Sequence, residues 1–152
     1  MSKLTAPMKR LIENYTAGAV AVVNDDGTPA VSPKATFVVV DDKCIAFGNI
    51  RSPATVANIE VRPHVEVNFI DVLTRRAVRV KGTAQVLKKD SDAARSLLPA
   101  FQVYWAPYIE LMDSFVAISI VNTEMILSPA YDVRHTAAEL RQVNLSKLST
   151  IE

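Results

Sequence analysis

The sequence predicts a mainly β fold: six or seven antiparallel strands closing into a small barrel, flanked by short helices, in a single domain over residues 1–152. Three observations carry this. Apolar and polar residues alternate with period two over residues 64–71 and 76–86, which is the signature of half-buried strands. Residues that tolerate turn geometry, Asn24-Asp25-Asp26-Gly27 and Asp41-Asp42-Lys43, punctuate apolar runs at hairpin spacing. Helical spacing is confined to short stretches. Barrel closure is the economical arrangement for so many antiparallel strands, because it removes exposed edges.

Leu4, Met8, Leu11, Ile12 and Tyr15 recur at helical spacing with Pro7 in a first-turn position, predicting a short amphipathic helix within residues 1–16. Residues 19–23, the Asn24–Gly27 turn and residues 29–40 read as a hairpin with a long second strand. Residues 44–50 continue it into a three-stranded meander. Ser52 and Pro53 mark a helix start, as N-cap and first helical residue, and Arg62-Pro63 forces its end, leaving two turns at most. Strands over 64–71 and 76–86 follow. Asp90 or Ser91 caps a further helix, Pro99 interrupts it, and an aromatic stretch of Phe101, Tyr104, Trp105 and Tyr108 comes next. Residues 114–121 and 124–127 read as a closing strand pair. Thr136 opens a helix of about seven residues, within a C-terminal helix and tail over 130–152.

The composition narrows the function. A net charge of +1, with both signs interspersed, gives no electrostatic footprint for nucleic acid. No apolar stretch approaches the roughly 18 residues that would cross a bilayer, and residues 1–10 lack a signal-type apolar core. With a single cysteine, Cys44, read as core filler, a cytoplasmic setting is the expectation, without nucleic-acid or membrane partners. The only glycines are Gly18, Gly27, Gly48 and Gly82, too scattered for a glycine-rich phosphate loop. His64 and His135 stand at no ligand spacing with each other or with Cys44, so no metal site is expected. The carboxylate pairs Asp25-Asp26 and Asp41-Asp42 fall in turns, which explains them better than acid–base chemistry.

Two segments invite a functional reading. In Ser32-Pro33-Lys34-Ala35-Thr36 a proline and a lysine interrupt an apolar strand, which means either an edge strand with a solvated lysine or a bulge that re-aims its neighbours. In Ile50-Arg51-Ser52-Pro53-Ala54-Thr55-Val56-Ala57-Asn58 a cation, two hydroxyls and a helix N-terminus converge. That segment is either a capped helix alone or a holder for a phosphate monoester: amides and dipole from the helix, charge from Arg51, hydroxyls from Ser52 and Thr55. The aromatic stretch around Trp105 suits either core packing or an interface.

These segments, with Gly48-Asn49-Ile50, Arg62-Pro63-His64-Val65 and Arg76-Ala77-Val78-Arg79-Val80-Lys81-Gly82-Thr83-Ala84, occur in an order and spacing that resembles the FMN-binding split β-barrel family, which includes pyridoxamine phosphate oxidase. The resemblance runs over roughly residues 18–121. It implies FMN as cofactor, its phosphate held by Arg51 to Thr55 with Asn58 nearby, and its ring along Ser32, Pro33, Lys34, Ala35 and Thr36. It also implies a homodimer whose second subunit completes the site, with the Trp105 stretch as contributor. The function that follows is an FMN-dependent oxidoreductase acting on a small substrate, with a non-catalytic flavin carrier, or a relative binding deazaflavin or haem, as the alternatives. No catalytic acid or base is assigned; Tyr104, Tyr108, Tyr131 or water serves as the proton source, and Lys34 stands where it would stabilise negative charge on the ring. True pyridoxamine phosphate oxidases are longer and carry a C-terminal set of Arg, His and Trp, of which only Arg134-His135 has a counterpart here. Pyridoxal phosphate synthesis is therefore not implied.

Overall fold

The computed structural model describes residues 2–152. Helix α1 (Ala6–Asn14) leads into strands β1 (Gly18–Val23), β2 (Pro29–Lys34), β3 (Phe37–Val39) and β4 (Cys44–Asn49), then helix α2 (Pro53–Val61). Strands β5 (His64–Asp71) and β6 (Arg76–Lys88) precede helix α3 (Asp92–Trp105) and a 3₁₀ turn (Ala106–Leu111). Strand β7 (Ser114–Leu127), a second 3₁₀ turn (Pro129–Tyr131) and helix α4 (Ala137–Leu148) complete the chain.

All seven strands form one antiparallel sheet in the order β2-β1-β5-β6-β7-β4-β3. Its two edges, β2 and β3, are consecutive in the chain and separated only by Ala35 and Thr36. The sheet must therefore curl until its edges meet, giving a half-barrel closed by the chain instead of by a ladder. The expected single strand over 29–40 is thus two strands on opposite edges, and the expected three-stranded meander is two separate hairpins, β1–β2 and β3–β4. Pro33 sits on the β2 edge, where its missing N–H breaks no ladder. Just before β3 the Thr36 hydroxyl donates to the Gly48 carbonyl (3.1 Å) and accepts from the Gly48 N–H (3.0 Å), extending the β3–β4 pairing through a side chain.

The barrel interior is apolar. Phe37, Phe47 and Phe69 pack at centroid distances of 4.8–5.1 Å, edge-on and tilted, and Met8, Leu11 and Ile12 of α1 extend this core. A second cluster lies on the outer face of β3 and β4, where Val38 and Ala46 meet Leu97, Phe101, Met112 and Phe115. Strand β4 is covered on both sides, which is why its residues read as a continuous apolar run.

Three further expectations are corrected. Helix α3 continues through Pro99, because Ala94, Leu97 and Phe101 keep one face buried while Pro99 and Arg95, whose carbonyl loses its partner, lie on the exposed face. The expected pair 114–121 and 124–127 is one strand: pairing passes from Gly82–Ile120 to Lys81–Asn122, so Val121 is the extra residue of a β-bulge. Helix α4 runs for twelve residues, since Thr136 and Glu139 form a reciprocal capping box and buried Asn144 ties the helix to the β5–β6 turn through the Leu73 carbonyl (2.8 Å). Among the described residues no helix is long and apolar enough to cross a membrane.

The β5–β6 turn is organised by Asp71, which is buried and accepts from the amides of Leu73 and Thr74 and from the Thr74 hydroxyl (2.5 Å). Burial pushes its pKa up, but the Thr74 and Tyr15 hydroxyls and these amides outweigh it and hold the carboxyl below its ordinary value of 3.8. Because the folded value is depressed, the stabilisation is complete above the ordinary value and is lost as pH falls through the folded one. Asp71→Asn is therefore expected to destabilise by about 1–3 kcal/mol at neutral pH. In thermal melts, the gap between the two proteins should narrow below about pH 4.

Candidate functional site

Where β4 runs into α2, the chain turns through Arg51 with φ +56°, a left-handed conformation that costs a non-glycine residue about 1 kcal/mol. Ser52 then precedes Pro53 at the head of α2, but its hydroxyl, 3.4 Å from the Ile50 carbonyl, makes no cap to the helix. The Ser52 carbonyl does accept the Val56 amide (3.1 Å), so the helix begins normally while the first-turn amides of Ala54 and Thr55 lack intrahelical partners. Buried Thr55 points its hydroxyl to within 3.4 Å of the Ser32 hydroxyl on β2. The N-terminus of α2 and the edge strand β2 thus face each other across a gap lined with donors.

That gap is one end of a trough made of two adjoining hollows. The first, about 250 Å³, is bordered by Ser32, Thr55 and Asn58 together with Lys34, Arg51 and Ser52. The second, about 530 Å³, shares Lys34, Arg51 and Ser52 and continues along Pro33, Ala35, Thr36 and Ile50 to a wall of Trp105, Tyr108 and Leu111. All eleven residues singled out in the sequence, Ser32 to Thr36, Ile50, Arg51, Ser52, Thr55, Asn58 and Trp105, line one hollow or the other. The combined space falls in the range that takes up a small ligand.

The ends differ in chemistry. Among the described residues neither Arg51 nor Lys34 has an acidic partner within ion-pair distance, and burial lowers the pKa of the Lys34 ammonium. Arg51 and Lys34, which border both hollows, and the free amides of the helix N-terminus give the α2 end a donor-rich, cationic chemistry suited to an anion. The far end is aromatic and apolar. Trp105 is pinned by its indole N–H to the Phe37 carbonyl (3.2 Å), with Tyr108 edge-on at 6.1 Å. Trp105 therefore lines the trough of its own chain, whereas the resemblance places it as a contribution from a second subunit.

Asn58 borders the hollow but has both ends of its amide engaged. It donates to the Asn24 side chain (3.0 Å) and accepts from Arg62 (2.9 Å), which also donates to the Val23 carbonyl (2.8 Å). Its work is to fasten α2 to the β1–β2 turn. Of the three tyrosines considered as proton sources, only Tyr108 lines the trough. The Tyr131 hydroxyl donates to the Thr74 carbonyl (2.6 Å) at the β5–β6 turn. Gly48 and Leu111 were not foreseen as lining residues. Leu111 follows Tyr108 at a spacing of three, which is one turn of a 3₁₀ helix and extends the aromatic face, so a helical reading of 106–111 would have found it.

Solved structures share this architecture. A candidate pyridoxamine 5'-phosphate oxidase from Lactobacillus delbrueckii is 27% identical, over 82% of this chain and 99% of that one. HutZ, the heme storage protein of Vibrio cholerae, is 17% identical over 84% and 95% of the two chains. An FMN-binding protein from Syntrophomonas wolfei is 12% identical over 80% and 84%. Each superposes with a TM-score of 0.65. No curated protein matches the chain. The family model described as pyridoxamine 5'-phosphate oxidase matches residues 4–128, from the approach to α1 through the last strand, and the chain belongs to that family.

Proposed function

We propose that this chain binds FMN in the trough and serves as an FMN-dependent oxidoreductase for a small substrate. The observation that carries the reading is the polarity of the trough: two unpaired cations and an uncapped helix N-terminus at one end, an aromatic-walled hollow at the other. A phosphate tail joined to a flat ring matches that division. Arg51, the Thr55 hydroxyl and the α2 amides would hold the phosphate, and the 33–36 segment with Trp105 would flank the ring. When bound, FMN supplies hydride or electron transfer, and that chemistry is the cofactor's own. The protein would position the ring, with Lys34, which borders both hollows, at the junction of phosphate and ring and Tyr108 within the ring's hollow.

The fold's relatives include proteins named for FMN and for heme. Neither His64 nor His135 lines this trough; His135 is exposed beside Glu139 at the start of α4. FMN is the better match to the residues present. The absorption spectrum of protein purified from its native host tests this directly: a flavin spectrum is expected, and a haem or deazaflavin spectrum overturns it. Steady-state oxidation of reduced nicotinamide by the flavin-loaded protein then separates an enzyme, which turns over, from a carrier, which does not.

The active form is a homodimer. Tyr108 and Leu111, which wall the trough, are about half exposed, an apolar rim that a second copy would cover. Light scattering at micromolar concentration with FMN present should give twice the chain mass, and a monomer contradicts the shared site. Lys34→Met should lower the reduction potential of bound FMN by a few tens of millivolts, because a cation beside the ring favours its more negative state. Potentiometric titration reads the shift, and an unchanged potential removes Lys34 from the account.

A further inference from the structure

A second polar hollow, of about 470 Å³, opens where α1, the β5–β6 turn, β7 and α4 meet. Three arginines border it, each from a different element: Arg10 on α1, Arg76 at the start of β6 and Arg141 on α4. The one carboxylate among its lining residues is Asp71, already occupied by Leu73 and Thr74 and 3.8 Å from Arg141. Among the described residues Arg10 and Arg76 have no ion-pair partner, so three guanidiniums face one carboxylate.

The arrangement is built by specific contacts. The Arg76 guanidinium lies over the Tyr131 ring, 5.3 Å from its centroid, and the Tyr131 hydroxyl is anchored on the Thr74 carbonyl. Asn144, one helical turn beyond Arg141, is buried and bonded to the Leu73 carbonyl, which fixes that face of α4 over the turn. Leu11, Met125 and Pro7 supply apolar surface, and the Tyr15 hydroxyl stands beside Asp71.

We infer that this hollow is a second ligand site, separate from the trough, for a small organic phosphate monoester. An excess of two positive charges matches a dianion. Three planar forks suit a group presenting three terminal oxygens better than a flat carboxylate. The apolar floor and the volume accommodate an organic remainder.

Calorimetric titration of the full chain with phenyl phosphate tests this, alongside an Arg10→Ala, Arg141→Ala double variant, with succinate as the competing anion class. Both substituted residues are exposed, and a thermal melt checks that the variant folds. Phenyl phosphate is expected to bind the natural chain more tightly than succinate, with the double variant weakened at least about tenfold and FMN binding unchanged. The inference is overturned by absence of binding at millimolar phenyl phosphate, by equal binding to the double variant, or by succinate binding as tightly. It is equally overturned if the double variant loses FMN, since the arginines would then belong to a flavin site.

Discussion

Replacing Arg51 and Thr55 together by alanine is expected to weaken FMN binding by two to three orders of magnitude. A guanidinium–phosphate contact contributes about 1.5–3 kcal/mol and a neutral hydroxyl donor about 1 kcal/mol, and together they span that loss. The fold should survive, because Arg51 is exposed and the Thr55 hydroxyl, although buried, bonds among the described residues to the Ser32 hydroxyl across the gap, so alanine at 55 removes one peripheral hydrogen bond. Arg51→Gly separates binding from stability. Glycine accepts φ +56° without the steric cost that arginine or alanine bears, so this variant should be no less stable than the natural chain while still losing affinity. Fluorescence titration against thermal melts of the same samples checks both halves. If affinity and stability fell together, Arg51 would be a structural residue and the phosphate would lie elsewhere.

Gly82→Ala is expected to be the most destabilising single-methyl change in the sheet. A Cβ at this position would lie 2.4 Å from the Ser119 carbonyl oxygen and 2.7 Å from the Ile118 side chain. The oxygen belongs to β7, which pairs with β6 along its whole length, so it cannot retreat without opening the ladder next to the Val121 bulge. Overpacking costs about 1–3 kcal/mol and sometimes more, and a backbone obstacle puts this site at the upper end. For a chain of this size that corresponds to a fall in Tm of about 6–12 °C. Gly27 is the contrast: it has φ +82° and nothing within 4 Å of an added Cβ, so alanine there costs only the strain of one residue. A Tm for Gly82→Ala within a degree or two of the natural chain would mean that β7 moves more freely than its pairing implies.

What could be read from the residues divides along a physical line. Short-range chemistry was legible: the Asn24–Gly27 turn, the alternation on β5 and β6, the Ser52-Pro53 helix start and the capping residue Thr136 all act within a few positions. Features set by tertiary contacts were not. Nothing local says that the run 29–40 breaks at Ala35-Thr36, because the break comes from the curl that carries β2 and β3 to opposite edges. Pro99 looks like a stop until the buried face of α3 is seen to run through it, and Asn122-Thr123 looks like a turn until β6 is seen to pair on both sides of Val121. The trough follows the same rule. Its two halves stood out as local anomalies, a proline and lysine in a strand and a cation before a helix, but their meeting depends on the sheet's closure. Gly48 joins the lining because Thr36, in the link between the two edges, is clipped to it at the end of the β3–β4 hairpin.

The central claim is that the trough holds FMN, and titration of the apoprotein with FMN, followed by quenching of flavin fluorescence, tests it most directly. The account predicts tight binding at one FMN per chain, two per dimer. Absence of saturable binding would contradict it, leaving a split-barrel fold whose ligand is of another class and removing the oxidoreductase reading with it.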